Sequence, residues 1–143
     1  MFVSINPSNE KILQKYALHT HEEVQHKITQ CHQSWSQWKQ TSLAERAKGL
    51  FKLADLLLQN KEQHAELMSL EMGKPITQAI SEIEKCAWVC RYYAEQGPAF
   101  LEPEIIKTDA RKSYLSYQPL GIILAIMPWN FPFWQAIRFA APT

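Results

Sequence analysis

Pro128-Trp129-Asn130-Phe131-Pro132 sets one neutral amide among aromatic rings and between two prolines. A primary amide can donate a hydrogen bond to charge developing on a carbonyl oxygen without itself titrating, which is oxyanion chemistry. The prolines fix their own φ and push Met127 and Phe131 toward extended backbone, so such a loop would hold its amide rigidly. Asn130 could instead cap a helix starting near Phe131, with the rings as core, because asparagine is a favoured N-cap. Arg138 follows eight residues later. A guanidinium grips a carboxylate with two parallel hydrogen bonds, although a solvated surface arginine is the ordinary case.

The other reactive side chains read more plainly. Cys86 and Cys90 lie one helical turn apart on an apolar stripe, where free cysteine behaves as a small hydrophobe rather than a nucleophile. Neither they nor Cys31 belong to a set of convergent ligands, so no metal site is expected. His19, His21, His26, His32 and His64 fall on polar helix faces or caps and are expected to be solvated. Trp35, Trp38 and Trp88 are expected in the core or between helices. Gly73-Lys74-Pro75 lacks the glycine-rich cradle that a phosphate loop places before its lysine.

The elements that would position the amide can be read along the chain. Phe2–Ile5 and Lys11–Leu18 flank the turn cluster Asn6-Pro7-Ser8-Asn9 and suggest a β-hairpin. Thr20-His-Glu-Glu23 and Ser42-Leu-Ala-Glu45 fit capping boxes. Behind them run two apolar stripes at helical spacing, Val24, Ile28, Cys31, Trp35 and then Leu43, Ala47, Leu50, Leu53, Ala54, Leu57, Leu58. Asn60 separates off a shorter helix to Met72, with Gly73 closing it. Pro75 is placed to open the next, whose stripe runs from Ile76 to Ala94 and which Gly97-Pro98 should end. Residues 105–108 and 113–118 are β-like. Gly121–Met127 is an unbroken apolar run, the pattern of a parallel strand buried on both faces. A ligand at the C-terminal edge of such a strand would meet Asn130. Parallel neighbours need crossovers and further strands, and none follow before Thr143, so the run implies a piece of a larger α/β protein or burial by other means.

Composition narrows the class. The 143 residues are 46% hydrophobic and 20% charged, with 15 basic and 14 acidic side chains, a balance ordinary for a globular protein. No basic face recommends nucleic acid. No apolar run approaches a membrane span, and the N-terminus has no signal-peptide character. The three cysteines cannot all pair within one chain, so a cytoplasmic location with reduced thiols is the expectation.

The Pro-Trp-Asn-Phe-Pro stretch resembles the motif of the aldehyde dehydrogenase superfamily. Gln118–Met127 is similar to the strand before that motif, Glu71-Met-Gly-Lys-Pro75 to the family's Gly-Lys-Pro junction, and Ile5-Asn-Pro7 to its opening turn. The four matches keep the family's order and cover essentially the whole chain; in detail they look closest to bacterial succinate-semialdehyde dehydrogenases. The resemblance implies an α/β fold, represented by the N-terminal part of the dehydrogenase fold and incomplete. Residues 1–103 would be the hairpin and helical part of the cofactor-binding domain, 104–118 strands of an oligomerisation arm, and 119–143 the first Rossmann-like strand, the motif loop and a helix start. It further implies Asn130 as oxyanion donor and Ile126, Met127, Pro128 and Trp129 along the nicotinamide side of NAD or NADP. Phe131, Trp134, Gln135 and Arg138 would face the substrate, with Arg138 on the distal carboxylate of succinate semialdehyde. A homo-oligomer, dimer or tetramer, is implied. The family's cysteine nucleophile and base glutamate lie far downstream, so the 143 residues alone are expected to be inactive. A stand-alone, non-catalytic helical interaction module is the competing expectation.

Overall fold

The computed structural model describes residues 1–143. Asn6 builds the first turn: its side-chain oxygen accepts from the Ser8 N–H at 2.9 Å, an Asx turn. On either side, β1 (Phe2–Ile5) and β2 (Ile12–Tyr16) pair antiparallel, as expected from the flanking β-prone residues.

Four helices follow. α1 (His21–Trp38) begins with a complete capping box, Thr20 accepting from Glu23 N–H and Glu23 reaching back to Thr20 N–H. α2 (Leu43–Gln59) has only half of one. Ser42 accepts from Glu45 N–H, but the Glu45 carboxylate pairs with Lys48 at 2.7 Å instead. α3 (Lys61–Met72) closes on Gly73 at φ 71, a left-handed position that glycine occupies without a Cβ penalty. α4 (Ile76–Phe100) does not stop at Gly97-Pro98 as expected. Both residues fall in its last turn, where proline costs only one ladder bond. The end tightens into an i→i+3 bond from Leu101 N–H to Pro98 O.

α4 is the axis of the core. Ala79, Ile83, Cys86, Ala87 and Cys90 lie buried along it against Ala54 and Leu57 of α2 and Ala65 and Met68 of α3. A final helix, α5 (Pro132–Ala140), lays Phe133, Trp134 and Ile137 on the same cluster. The hairpin is fastened to the end of α3 by Ser4 Oγ, which donates to Glu71 at 2.6 Å. α1 buries none of its residues, so its apolar stripe faces solvent in this chain.

The β-like residues after α4 form less structure than expected. Only β3 (Glu104–Ile105) and β4 (Tyr114–Leu115) pair, antiparallel, as a short exposed arm. Gly121–Met127 is not a strand at all. It finds no partner, and Leu124 and Ile126 are 84% and 86% exposed. The physical reason is the one that made the run anomalous: a strand exists only as part of a ladder, and no other segment of the chain offers one. Gly121 sits at φ 116, a bend that a side chain would strain.

Candidate active site

Asn130 stands in a tight turn immediately before α5. The helix takes Phe131 as its N-cap residue, and no side chain of the turn caps it. Asn130 is therefore not the cap that its residue type allowed. It is solvent-facing. Pro132 occupies the first helical position, where its missing N–H costs nothing.

One orphan N–H at the start of α5 is served from elsewhere. Glu82 of α4 accepts from the Trp134 N–H at 2.9 Å, placing a carboxylate at the positive end of the helix. The other oxygen of Glu82 pairs with Lys74, whose side chain is 5% exposed against 2% for Glu82. Lys74 also lies over the Phe131 ring, 3.8 Å from its centre. One buried ion pair thus joins the Gly-Lys-Pro turn, the second turn of α4 and the first turn of α5. Spacing could have pointed to Glu82. It lies between Ala79 and Cys86 inside the buried stripe, where an acidic residue needs partners. Nothing local identifies Trp134 as one of them.

Beside this pair lies a groove of about 620 Å³ between α4 and α5. Phe131, Trp134 and Gln135, three of the expected substrate-facing residues, line it together. Across from them stand Gln78, Ser81 and Lys85, with the Lys85 ammonium 4.0 Å from the Trp134 ring centre. Trp129 lines a separate groove with Pro7, Met72 and Phe133. The turn therefore sends its two flanking rings to different sides, with Asn130 between them. Ile126 and Pro128 are exposed and Met127 is half-buried in the unpaired segment leading in. Arg138 is not brought to the groove; it is exposed in the last turn of α5.

The cysteines behave as expected. Cys86 and Cys90 are fully buried in the core. Burial, with the nearby Glu82 charge, pushes the Cys86 thiol up to about 12, and burial raises Cys90 as well. Thiols so hard to ionise are poor nucleophiles. No three histidine, cysteine, aspartate or glutamate side chains converge as metal ligands, and no helix is long and apolar enough to cross a membrane. The tryptophans and one histidine differ from expectation. Trp88 is 61% exposed and Trp38 half so, its ring stacked near Arg46. Trp35 is half-buried beneath the Lys39 ammonium. His64 is not simply solvated but packs on Phe133 with ring centres 5.0 Å apart. The wide exposure of aromatic and aliphatic side chains has one cause: only 14 residues are buried, and they centre on α4.

Comparison with known proteins places this arrangement. A probable NADP(+) succinate-semialdehyde dehydrogenase of Synechocystis is 47% identical over 139 residues, covering 97% of this chain and 31% of that protein. Succinate-semialdehyde dehydrogenase [NADP(+)] 1 of Mycobacterium bovis is 45% identical over 142 residues, with the same coverage. The crystal structure of succinic semialdehyde dehydrogenase from Streptococcus pyogenes, in complex with NADP+, superposes with a TM-score of 0.94 at 31% identity. It is matched over 99% of this chain and 31% of its own. The chain thus spans about a third of the length of the relatives it matches. The profile of the aldehyde dehydrogenase family matches residues 1–143 without a gap at either end. With the Pro-Trp-Asn-Phe-Pro turn on α5, the helical layer beneath it and this full-length match, the chain belongs to the aldehyde dehydrogenase family.

Proposed function

We propose that this chain supplies the oxyanion-binding and part of the substrate-facing wall of an NAD(P)+-dependent aldehyde dehydrogenase acting on succinate semialdehyde. The observation that carries the reading is the turn itself: Asn130 is released from helix capping, and Phe131, Trp134 and Gln135 converge on one groove beside it. When a thiolate adds to an aldehyde, the C–S bond forms and the carbonyl pair moves to oxygen. The Asn130 amide donates to that oxygen. The nucleophile comes from outside residues 1–143, because Cys86 and Cys90 are sealed in the core and Cys31 lies on exposed α1.

The cofactor segment fits its expected guest chemically. No charged residue occurs from Pro119 to Ile137, and Ile126 and Trp129 present apolar surface to solvent. Such an edge suits a flat nicotinamide ring, so Ile126, Met127, Pro128 and Trp129 would hold that end of NAD or NADP. When bound, the nicotinamide supplies the hydride acceptor. The relatives' names favour NADP+. In the same reading residues 1–103 belong to the cofactor-binding domain, 104–118 to an oligomerisation arm serving a dimer or tetramer, and 119–143 to the start of the nucleotide-binding sheet.

The test is turnover by the complete enzyme carrying this chain, with succinate semialdehyde and each cofactor. Oxidation to succinate with stoichiometric cofactor reduction is expected, whereas an enzyme silent towards every aldehyde would falsify the reading. Arg138→Leu should lower kcat/KM for succinate semialdehyde far more than for an uncharged aldehyde, since only the former offers a distal carboxylate. Equal losses on both substrates remove Arg138 from recognition. The 143-residue chain by itself should show no turnover.

A further inference from the structure

Glu82 and Lys74 are the most deeply buried charged side chains of the chain, and neither belongs to the expected site residues. We infer that Glu82 is a positioning residue for the Asn130 turn, with Lys74 holding it in place; this rests on the dehydrogenase function proposed above. Three observations converge. The Glu82 carboxylate accepts from Trp134 N–H, an N–H of the first turn of α5, which has no cap of its own. Lys74 pairs with the other oxygen of that carboxylate, so the carboxylate is restrained from both sides. The same ammonium stacks on Phe131, the residue directly after Asn130. The turn carrying the amide is therefore gripped at Phe131 and at Trp134, and both grips run through one ion pair seated on α4.

The turn needs such a support. The first turn of α5 has no side-chain cap of its own, and the prolines on either side of Asn130 stiffen the backbone without donating a hydrogen bond that would anchor it. An oxyanion donor acts only if it is aimed at the developing charge, and displacement by about 1 Å can cost as much as about 100-fold in rate. A salt bridge that merely tied the Gly-Lys-Pro turn to α4 would have no reason to reach the backbone N–H of the first turn of α5 and the ring beside the amide.

The experiment separates aim from stability by removing charge and acceptor independently in the complete enzyme. K74M/E82Q removes both charges and keeps an acceptor for Trp134 N–H. K74M/E82L removes both charges and the acceptor, and neither leaves an unpaired buried charge. We expect kcat of K74M/E82L to fall about 10- to 100-fold below that of K74M/E82Q, with KM for aldehyde and cofactor within about twofold between them, a split typical of interactions felt only in the transition state. Amide exchange at Trp134 should be fast in K74M/E82L and protected in K74M/E82Q. Glu82→Asp, one methylene shorter and still charged, should also lower kcat, which covers the case in which the leucine variant does not fold. Equal kcat in the two double variants, or a Glu82→Asp enzyme with unaltered kcat, overturns the inference while leaving the dehydrogenase reading intact. If instead the parent enzyme oxidises no aldehyde, the functional reading fails, and the exchange at Trp134 still decides whether Glu82 fixes the turn: equal protection in both double variants overturns it.

Discussion

Replacing Asn130 by alanine in the complete enzyme deletes a donor while leaving the turn's prolines and rings in place. A kcat loss of about 10²–10³ is expected, the cost of one oxyanion donor; a kcat within error of the parent would take Asn130 out of the chemistry. The cysteines make a second residue-scale prediction. Native chain treated with a neutral thiol reagent should be modified once, at Cys31, and three times after denaturation, because Cys86 and Cys90 are buried. The raised Cys86 pKa also carries a sign. Its thiol contributes to stability below the ordinary thiol range, and that contribution is lost as pH climbs toward about 12. Unfolding should therefore ease above about pH 9, and a Cys86→Ser variant with an identical alkaline profile would contradict this. At this scale much was legible. The amide, its prolines and the inert cysteines stand in the sequence as residue types at short spacing. Glu82 was not, because its meaning comes from Trp134, and these two positions meet only once α4 and α5 have docked.

Elements were read best where their signals are local. The Thr20 box and the Gly73 stop each involve groups within four residues of one another, and both form as expected. The second box failed for a reason equally local: Lys48, three positions past the box, captured Glu45. The β-like residues after α4 failed for the opposite reason. A strand's partners are non-local, so residues 121–127 carry every intrinsic mark of a strand and still lack one. Helix α1 offers a clean test of what capping contributes alone, since nothing in it is buried. Thr20→Ala should cost about 1 kcal/mol, appearing as faster amide exchange within α1 and not as a lower global melting temperature. A matching drop in global stability would show α1 coupled to the core. Glu23 adds a pH dependence. Its bond from Thr20 N–H holds its carboxyl below the ordinary value, so the box is intact at neutral pH. The box weakens as pH falls through that lowered value, and fraying of α1 on acidification should read this out.

The molecule as a whole exposes 10956 Å², where a folded monomer of its mass should expose about 7,600 Å². The excess, about 3,400 Å², is as large as an obligate protein interface. Its apolar part is visible in Leu120, Leu124, Ile126 and Trp129 and in Ile105, Tyr114 and Leu115 of the β3–β4 arm. Purified 143-residue chain should therefore associate at micromolar concentration and elute well above its 16.6 kDa; a sharp, concentration-independent monomer would contradict the surface argument. Replacing Leu124 with lysine should reduce the association by placing charge on the exposed strand-like run. The Lys74–Glu82 pair bears on a different event, the order in which the molecule is made. Every group that grips the Asn130 turn lies at or before Trp134, and the core with the side chains packed on it lies between Leu53 and Ala141. On a ribosome that adds about 5–20 residues per second, the aim of the amide can be set as soon as this stretch clears the exit tunnel. The Asn130 turn would then be fixed before any residue made after it could dock against it.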